Sequence, residues 1–319
     1  MLRFIKRLIG TVSEKKESSE GVERTPSEET EHRLLKKHGK NIQILGSGAY
    51  GIVYLLTQNN KKYVVKEMEL TPDNKAITLR EIAVLDKLYK RCGEYFVCLE
   101  HWKIKTESNK KYVLMIFNYL PNTEDLWDYE QRNLSIVEKD RIMIGLIIGL
   151  KVMHALDIVH RDIKPENILI DKKNLLIHYL DFGLSCIKGD EECIRKSIGT
   201  YIYMSPDMYQ IDEKDYTFEQ LKAGDVWALG VTFVGLFVYY KIEEIFGNIR
   251  EMAIAGRSKE LMGKRLNVIL GKINMPLRIR ELLKKMLEPD FEKRITLQQI
   301  RDDLDTYFPD KAGLKLQKI

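Results

Sequence analysis

The stretch IVHRDIKPENILI, residues 158–170, sets His160, Arg161, Asp162, Lys164, Glu166 and Asn167 between short β-branched apolar runs. Side chains of both signs packed this densely either solvate a surface turn or converge on a site that handles charge. The thirteen residues do not decide between these, so the elements around them must.

The run NIQILGSGAYGIVYLLT is an apolar segment, a glycine turn and a second apolar segment, with Gly46, Gly48 and Gly51 spaced as G-x-G-x-x-G. A dinucleotide fold uses the same spacing, but there the turn opens a helix. Here it leads into the alternating IVYLLT, so the geometry that fits is a hairpin of backbone N–H groups over phosphates. A plain glycine hairpin is the alternative. The next strand-like segment, KKYVVKEMEL, carries Lys66 among β-branched residues. A buried-facing ammonium is very costly without an anion. Glu81 offers one. The segment NKAITLREIAVLDKLYK has helical period with Ile77, Val84, Leu85 and Leu88 apolar, which puts Glu81 above Leu85 on the inward side. Farther on, YVLMIFNYLPNTEDLWDY breaks at Pro121 into a polar connection, and KDRIMIGLIIGLKVMHALD reads as a core helix of a second lobe. In LDFGLS, Asp181 interrupts another apolar run, and Gly183 permits an unusual backbone angle.

At 319 residues, 44% hydrophobic and 31% charged, the chain fits one large globular domain or two smaller ones sharing a cleft. The net charge of +5 is too small to argue nucleic-acid binding. Residues 241–294 carry 13 Lys+Arg against 8 Asp+Glu, either a solvated helical surface or a face for an acidic partner. Cys92, Cys98, Cys186 and Cys193 form no C-x-x-C pair and no metal-ligand cluster, so a reduced, intracellular chain with unpaired thiols is expected. No apolar run reaches the ~18 residues of a membrane span. In MLRFIKRLIGTV, residues 1–12, apolar residues share one helical face and Arg3, Lys6 and Arg7 the other. Such a segment can lie on an anionic membrane surface, dock back onto the domain, or serve as an address signal. Residues 13–38 open with SEKKESSEGVERTPSEETEHR, too poor in large apolar side chains to offset ordering entropy, and read as a flexible linker.

Taken together, the glycine loop, VVK, the helix glutamate, HRDIKPEN, DFG, GTYIYMSPD, DVWALG and KRIT stand in the order found in eukaryotic-type protein kinases. The chain resembles that family over about residues 40–308, and its serine/threonine branch through Lys164 and Thr200. The resemblance implies an α+β, bilobal fold: a small, mainly β N-lobe with one key helix (39–120), a larger, mainly α C-lobe (121–310) and a tail (311–319). It implies transfer of the γ-phosphoryl group of ATP to protein Ser/Thr hydroxyls, with magnesium, two ions being expected. By the same resemblance Asp162, Lys164, Lys66 and Glu81 are the catalytic set. Leu45, Gly46, Ser47, Gly48, Ala49, Tyr50, Gly51, Val53, Val64, Lys66, Asn118, Leu120, Asp125 and Leu169 bind the nucleotide. Asn167 and Asp181 hold metal. Adenine is expected between Val53 and Val64 above and Leu169 below, with Phe117 guarding the back and Asp125 at the ribose. A protein substrate is the partner the resemblance implies; an anionic membrane surface is a candidate second one through residues 1–12, no nucleic acid is expected, and the expected location is intracellular, in the cytoplasm or peripherally on a membrane.

Some positions depart from the family pattern. Ser205-Pro206-Asp207 replaces Ala-Pro-Glu, and the shorter acid must still reach Arg294. Lys196 stands where relatives carry an activating phosphate, with Ser197 one step late; Asp190, Glu191 and Glu192 are expected to serve Arg161 as fixed anions instead. Gly-x-x-Pro-Phe is absent after DVWALGVTFVGLFVYY. Gly235 sits where relatives preferring basic substrates often have an acid, a preference Glu166 and Asp125 keep in part. A pseudokinase scaffold, the rival class, would be expected to lose Lys66, Asp162 or Asp181. A small-molecule phosphotransferase would not be expected to keep GTYIYMSPD or DVWALG.

Overall fold

A computed structural model describes residues 41–48, 51–191, 198–209, 216–238 and 241–309. The expectations for residues 1–12, 13–38, Ala49, Tyr50, Glu192, Lys196, Ser197 and 311–319 lie outside the described residues.

The N-terminal lobe is built on hairpins. Strands β1 (Ile42–Gly48), β2 (Gly51–Gln58), β3 (Lys61–Glu69), β4 (Leu99–Glu107) and β5 (Lys110–Asn118) form one antiparallel sheet in the order β1-β2-β3-β5-β4. Asn59-Asn60 and Ser108-Asn109 close two of its hairpins with all four φ angles positive. That backbone matches the right-handed twist of the flanking strands, and Asn tolerates it well. Period-2 alternation gives the sheet two apolar faces. Ile52, Tyr54 and Val65 pack on one, while Leu45 and Val53 pack on the other with Leu180 of the second lobe. At Gly51, φ is +113°, and a Cβ would stand 2.2 Å from the Glu67 carbonyl oxygen. Only glycine lets β2 approach β3 there.

Helix α1 (Pro72–Leu88) starts at a capping box, Thr71 with Asn74, and has proline in its first turn. Glu81, Ile82, Val84, Leu85 and Leu88 are buried. Ile77, expected inward, is 40% exposed. Beyond this helix, Cys92 and Cys98 are joined as a disulfide with their Cα atoms 4.8 Å apart, and no described cysteine is a free thiol. This corrects the expectation of unpaired thiols and removes that ground for an intracellular location. The physical cause is a return of the chain at Gly93 (φ +80°), whose N–H donates to the Phe96 carbonyl at 2.8 Å.

In the second lobe, β6 (Thr123–Asp125) leads into the short helix α2 (Leu126–Tyr129) and then α3 (Ile136–Ala155). Of the strands β7 (Ile158–Val159), β8 (Ile168–Asp171), β9 (Ile177–Tyr179) and β10 (Cys186–Ile187), β7 and β9 pack on α3, and β7 and β8 flank the polar stretch 160–167. Helices α4 (Phe218–Val238), α5 (Ile242–Ile254), α6 (Lys259–Lys272), α7 (Leu277–Met286), α8 (Leu297–Asp302) and α9 (Leu304–Tyr307) complete the lobe. By length and composition α4 could cross a membrane, unlike anything expected from the sequence. Its side chains are mostly buried in the lobe, which makes it a core helix here. In the basic stretch 241–294, Lys259, Lys264, Arg278, Lys284 and Lys293 each pair with an acid, as a mixed-charge helical surface does.

Asp207 does reach Arg294, at 2.9 Å, with the arginine side chain fully buried. Arg294 also donates to the carbonyls of Ala223 and Glu288, each at 2.8 Å. The shorter acid leaves Oδ2 of Asp207 buried without a partner. Removing it would strand the arginine, so Asp207→Ala should lower unfolding stability by about 3–5 kcal/mol in a denaturant titration. A change below about 1 kcal/mol would show that the pair contributes little, as exposed pairs do.

Candidate active site

Two elements deliver the ion pair expected in the N-lobe. In β3, Lys66 faces Val53 of β2 on one side and Met115 of β5 on the other. Its Nζ lies 2.7 and 2.9 Å from the two carboxylate oxygens of Glu81 on α1, and 3.7 Å from Oδ1 of Asp181. Burial opposes the lysine's charge, but Glu81 and then Asp181 outweigh it and hold Lys66 above its ordinary value.

The stretch 160–167 is a loop between β7 and β8, and its polar groups converge. Asp162 is buried. Its Oδ2 accepts from Lys164 Nζ at 2.7 Å and Asn167 Nδ2 at 2.9 Å, while Oδ1 accepts from the Thr200 hydroxyl at 2.7 Å and the Thr200 N–H at 3.0 Å. Burial would raise its pKa, but the charge and hydrogen bond of Lys164, with that of Thr200, hold it below the usual carboxylate value. Asp162 is therefore ionised at neutral pH and can accept a hydrogen bond from a hydroxyl. Lys164 Nζ also reaches Thr200 Oγ1 at 2.6 Å. Gly199 makes this approach feasible: its φ is +139° and a Cβ there would stand 2.7 Å from the Arg161 carbonyl oxygen.

Asp225 of α4 fixes the loop from below. Its carboxylate accepts from the backbone N–H groups of His160 and Arg161, both at 2.8 Å, and meets His154 Nε2 at 2.9 Å. These contacts hold Arg161 at φ +68°, and Asp181, on the neighbouring segment of the same lobe, stands at +58°. Both are conformations that cost free energy away from glycine and persist where neighbours over-determine them. His160 links the two segments, with Nε2 3.1 Å from the Leu180 carbonyl and its ring 5.3 Å from that of Phe182. The roles of Asp225, His160 and Thr200 were not read from the sequence. Asp225 did carry a signal: it is a carboxylate opening a run that is otherwise uncharged to Tyr240, and a buried acid needs donors.

Between the lobes, Leu45, Val53 and Val64 above and Leu169 and Leu180 below form an apolar slot, with Phe117 and the 118–120 connection at its rim and Lys66, Glu81 and Asp181 inside. The Asn118 N–H donates to the Cys98 carbonyl at 3.2 Å, and the Leu120 carbonyl accepts from Thr123 Oγ1 at 2.9 Å. Thr123 lines this slot as well, and Asp125 stands two residues on, at the end of β6. Asp125 is buried and caps α2, its Oδ1 accepting from the Asp128 N–H at 2.8 Å, and burial foremost raises its pKa to about 6.

Of the acidic run, Asp190 bonds Arg80 at 2.6 Å, one residue before Glu81, so it ties α1 to the segment after β10. Arg161 places Nη1 3.1 Å from Cys186 Sγ; burial foremost lowers its pKa to about 10, with the charges of Asp225 and Asp190 acting against that. Gly189 (φ +94°) turns the chain ahead of Asp190.

A two-lobed fold with a lysine–glutamate pair above an Asp/Lys/Asn loop defines a phosphotransferase-like cleft. Residues 40–304 match the protein kinase domain, and the chain belongs to the protein kinase family. It is 32% identical over 235 residues to the serine/threonine-protein kinase ssp1 of Schizosaccharomyces pombe, covering 70% of this chain and 33% of that protein. It is 32% identical over 204 residues to the cell division control protein 2 homolog 2 of Trypanosoma brucei brucei, covering 61% and 55%. To the phosphorylase b kinase gamma catalytic chain of Mus musculus, liver/testis isoform, it is 29% identical over 198 residues, covering 61% and 47%. The matched part thus spans a third to about half of these relatives.

Proposed function

We propose that the chain is an active serine/threonine protein kinase that uses ATP and magnesium. The observation that carries this is the simultaneous assembly of Lys66–Glu81 at 2.7 Å and of ionised Asp162 with Lys164, Asn167 and Thr200 around it. A scaffold that only bound partners would not need Asp162 held so tightly by its neighbours.

The site's chemistry fits both reactants. The slot walls suit a flat apolar base, whose edge falls to the Asn118 carbonyl and the Leu120 N–H, and the fixed cation Lys66 suits the α- and β-phosphates. Asn167 spends its Nδ2 on Asp162, at 2.8 Å to the carbonyl and 2.9 Å to the carboxylate, which leaves its amide oxygen to serve as a ligand together with the Asp181 carboxylate. Oxygen donors of this kind suit a hard divalent cation. Bound there, magnesium supplies positive charge to the phosphate oxygens.

The chain's own residues do the rest by position and charge. Asp162 accepts the hydrogen bond of the substrate hydroxyl and aims its oxygen at the γ-phosphorus. The hydroxyl oxygen forms a bond to that phosphorus as its bond to the bridging oxygen of ADP breaks, and the hydroxyl proton is released with Asp162 as acceptor. Lys164 meets the charge spread over the transferred oxygens, and Thr200 holds both residues in register. Asp190, already bonded to Arg80, keeps Glu81 directed at Lys66 without a loop phosphate.

Purified, phosphatase-treated protein is therefore expected to move radiolabel from the γ-position of ATP to a generic protein substrate, and Asp162→Ala to abolish this. Absence of transfer by the wild type, with nucleotide still bound, would establish a scaffold. Loss of activity on phosphatase treatment alone would overturn the role given to Asp190.

A further inference from the structure

The disulfide between Cys92 and Cys98 is poorly suited to stapling the whole fold. A cross-link stabilises a folded chain mainly by restricting the unfolded one, and that effect grows with the length of the loop it closes. Here the two cysteines are only six residues apart. The bond therefore acts chiefly on the conformation of the short segment it ties off.

That segment runs from the end of α1 to the start of β4 and touches the cleft in several places. Phe96, fully buried, pairs with Tyr179 of β9 and sets its ring 6.3 Å from that of Phe182, the residue after Asp181. The Val97 N–H donates to the Tyr179 carbonyl at 3.3 Å, and the Tyr179 N–H donates to the Tyr95 carbonyl at 2.8 Å. Val97 itself lines the apolar slot, together with Lys66 and Glu81. The Cys98 carbonyl accepts from the Asn118 N–H at the rim of that slot. At the other end, the turn Tyr89–Arg91 joins Cys92 to the helix that carries Glu81. Both cysteines are half-buried, and Gly93 and Glu94 between them are exposed. A disulfide within reach of solvent is open to thiol–disulfide exchange, whereas one sealed in a core is not.

We propose that Cys92–Cys98 is a redox-responsive bond through which a dithiol reductant lowers the affinity of the cleft for nucleotide. The oxidised form is the one that shows Lys66 and Glu81 paired beside a closed slot wall. In the exchange, a thiolate of the reductant attacks one of the two sulfurs, the S–S bond breaks, and the departing cysteine sulfur takes up a proton. The reductant's second thiolate then attacks its own sulfur in the mixed disulfide, and the other cysteine leaves and is protonated. Two electrons pass to the protein, and the reductant ends as a cyclic disulfide. Residues 92–98 lose the tie across Gly93, so Val97 in the wall and the Cys98 carbonyl at the rim are held less firmly. The proposal rests on the kinase reading for the identity of the ligand.

The test uses the full chain, oxidised and then reduced with dithiothreitol, at a temperature well below its melting point. Alkylation and mass spectrometry report the state of Cys92 and Cys98, and ATP affinity is measured with magnesium in each state. Reduction should weaken ATP binding by about tenfold, a usual size for coupling between two sites, and reoxidation should restore it. The reciprocal effect follows from linkage. Saturating ATP should make this disulfide harder to reduce by the same factor, which moves its midpoint in a dithiothreitol redox titration about 30 mV more negative. A bond that only braced the fold would lower the melting temperature on reduction and move neither quantity. Cys92→Ser combined with Cys98→Ser should bind ATP as the reduced wild type does and ignore the reductant. That variant keeps Cys186, which is also disulfide-bonded, so a response left in it belongs to that other bond. An undiminished response in the double variant overturns the proposal, and the wild-type titration decides alone should the variant not fold. If ATP binds equally to oxidised and reduced wild type, the switch alone fails. If ATP binds to neither, the kinase reading fails with it.

Discussion

Lys66→Met lowers kcat/KM by about 10²–10³, the cost of removing one fixed charge from the reacting groups, while the protein still folds. Methionine keeps most of the stem that packs between Val53 and Met115, so the sheet register survives. What it removes is the ammonium 2.7 Å from Glu81 and 3.7 Å from Asp181. Two acids then face each other in a buried place. Burial already pushes the Glu81 carboxyl above its ordinary value, and without Lys66 it should rise further and take up a proton. The sign follows from linkage: a carboxyl raised in the folded state favours folding at low pH and loses that contribution as pH rises through its folded pKa. The variant's melting temperature should thus fall, relative to wild type, as pH is raised above the ordinary glutamate range. Steady-state rates and melting curves across that range check both halves. More than about a tenth of wild-type turnover would remove Lys66 from the catalytic set, since fixed charges at a reacting phosphate carry far more.

Asp181→Asn should cost at least as much in turnover, and for a cleaner reason. Asp181 sits at φ +58°, a region that asparagine occupies more readily than most residues, so the backbone turn is kept. Shape is also kept; one negative charge and one strong oxygen ligand are lost. Lys66 keeps Glu81, its nearer partner, and loses only the contact at 3.7 Å. Nucleotide affinity in the absence of divalent ions should consequently hold or improve, whereas turnover should fall by orders of magnitude and need more magnesium to half-saturate. A magnesium titration at fixed ATP, with nucleotide binding measured separately in chelator, distinguishes these effects. An unchanged magnesium requirement would mean that Asp181 does not hold the ion.

The sequence by itself determined the local geometry on which both results depend. Lys66 lies among β-branched residues with period 2, and Glu81 lies one helical turn from Leu85, so strand and helix each aim one charged group inward. The spacing of Gly46, Gly48 and Gly51 before an alternating run likewise announced a hairpin, and the approach of the Glu67 carbonyl is the reason for glycine at 51. The charged string 160–167 was legible as a site once those neighbours were read with it.

Tertiary structure alone decided the partners. Asp225 serves the backbone of His160 and Arg161 from 65 and 64 residues away, and Asp190 reaches back 110 residues to Arg80. Neither distance leaves a periodic trace, because each is fixed by how a helix or a turn packs against the rest. That Asp125 caps α2 through the Asp128 N–H was likewise not readable from its place in a polar connection. Cys92 met Cys98 through a turn with no motif spacing. Glu130 shows the limit most clearly. In the sequence it is a glutamate in a polar connection, and only its place beside Gly235 of α4 makes it a buried carboxyl whose Oε2 has no hydrogen-bond partner. Periodicity fixes which way a side chain points along its own element, whereas what it meets there depends on a second element that the local pattern does not encode.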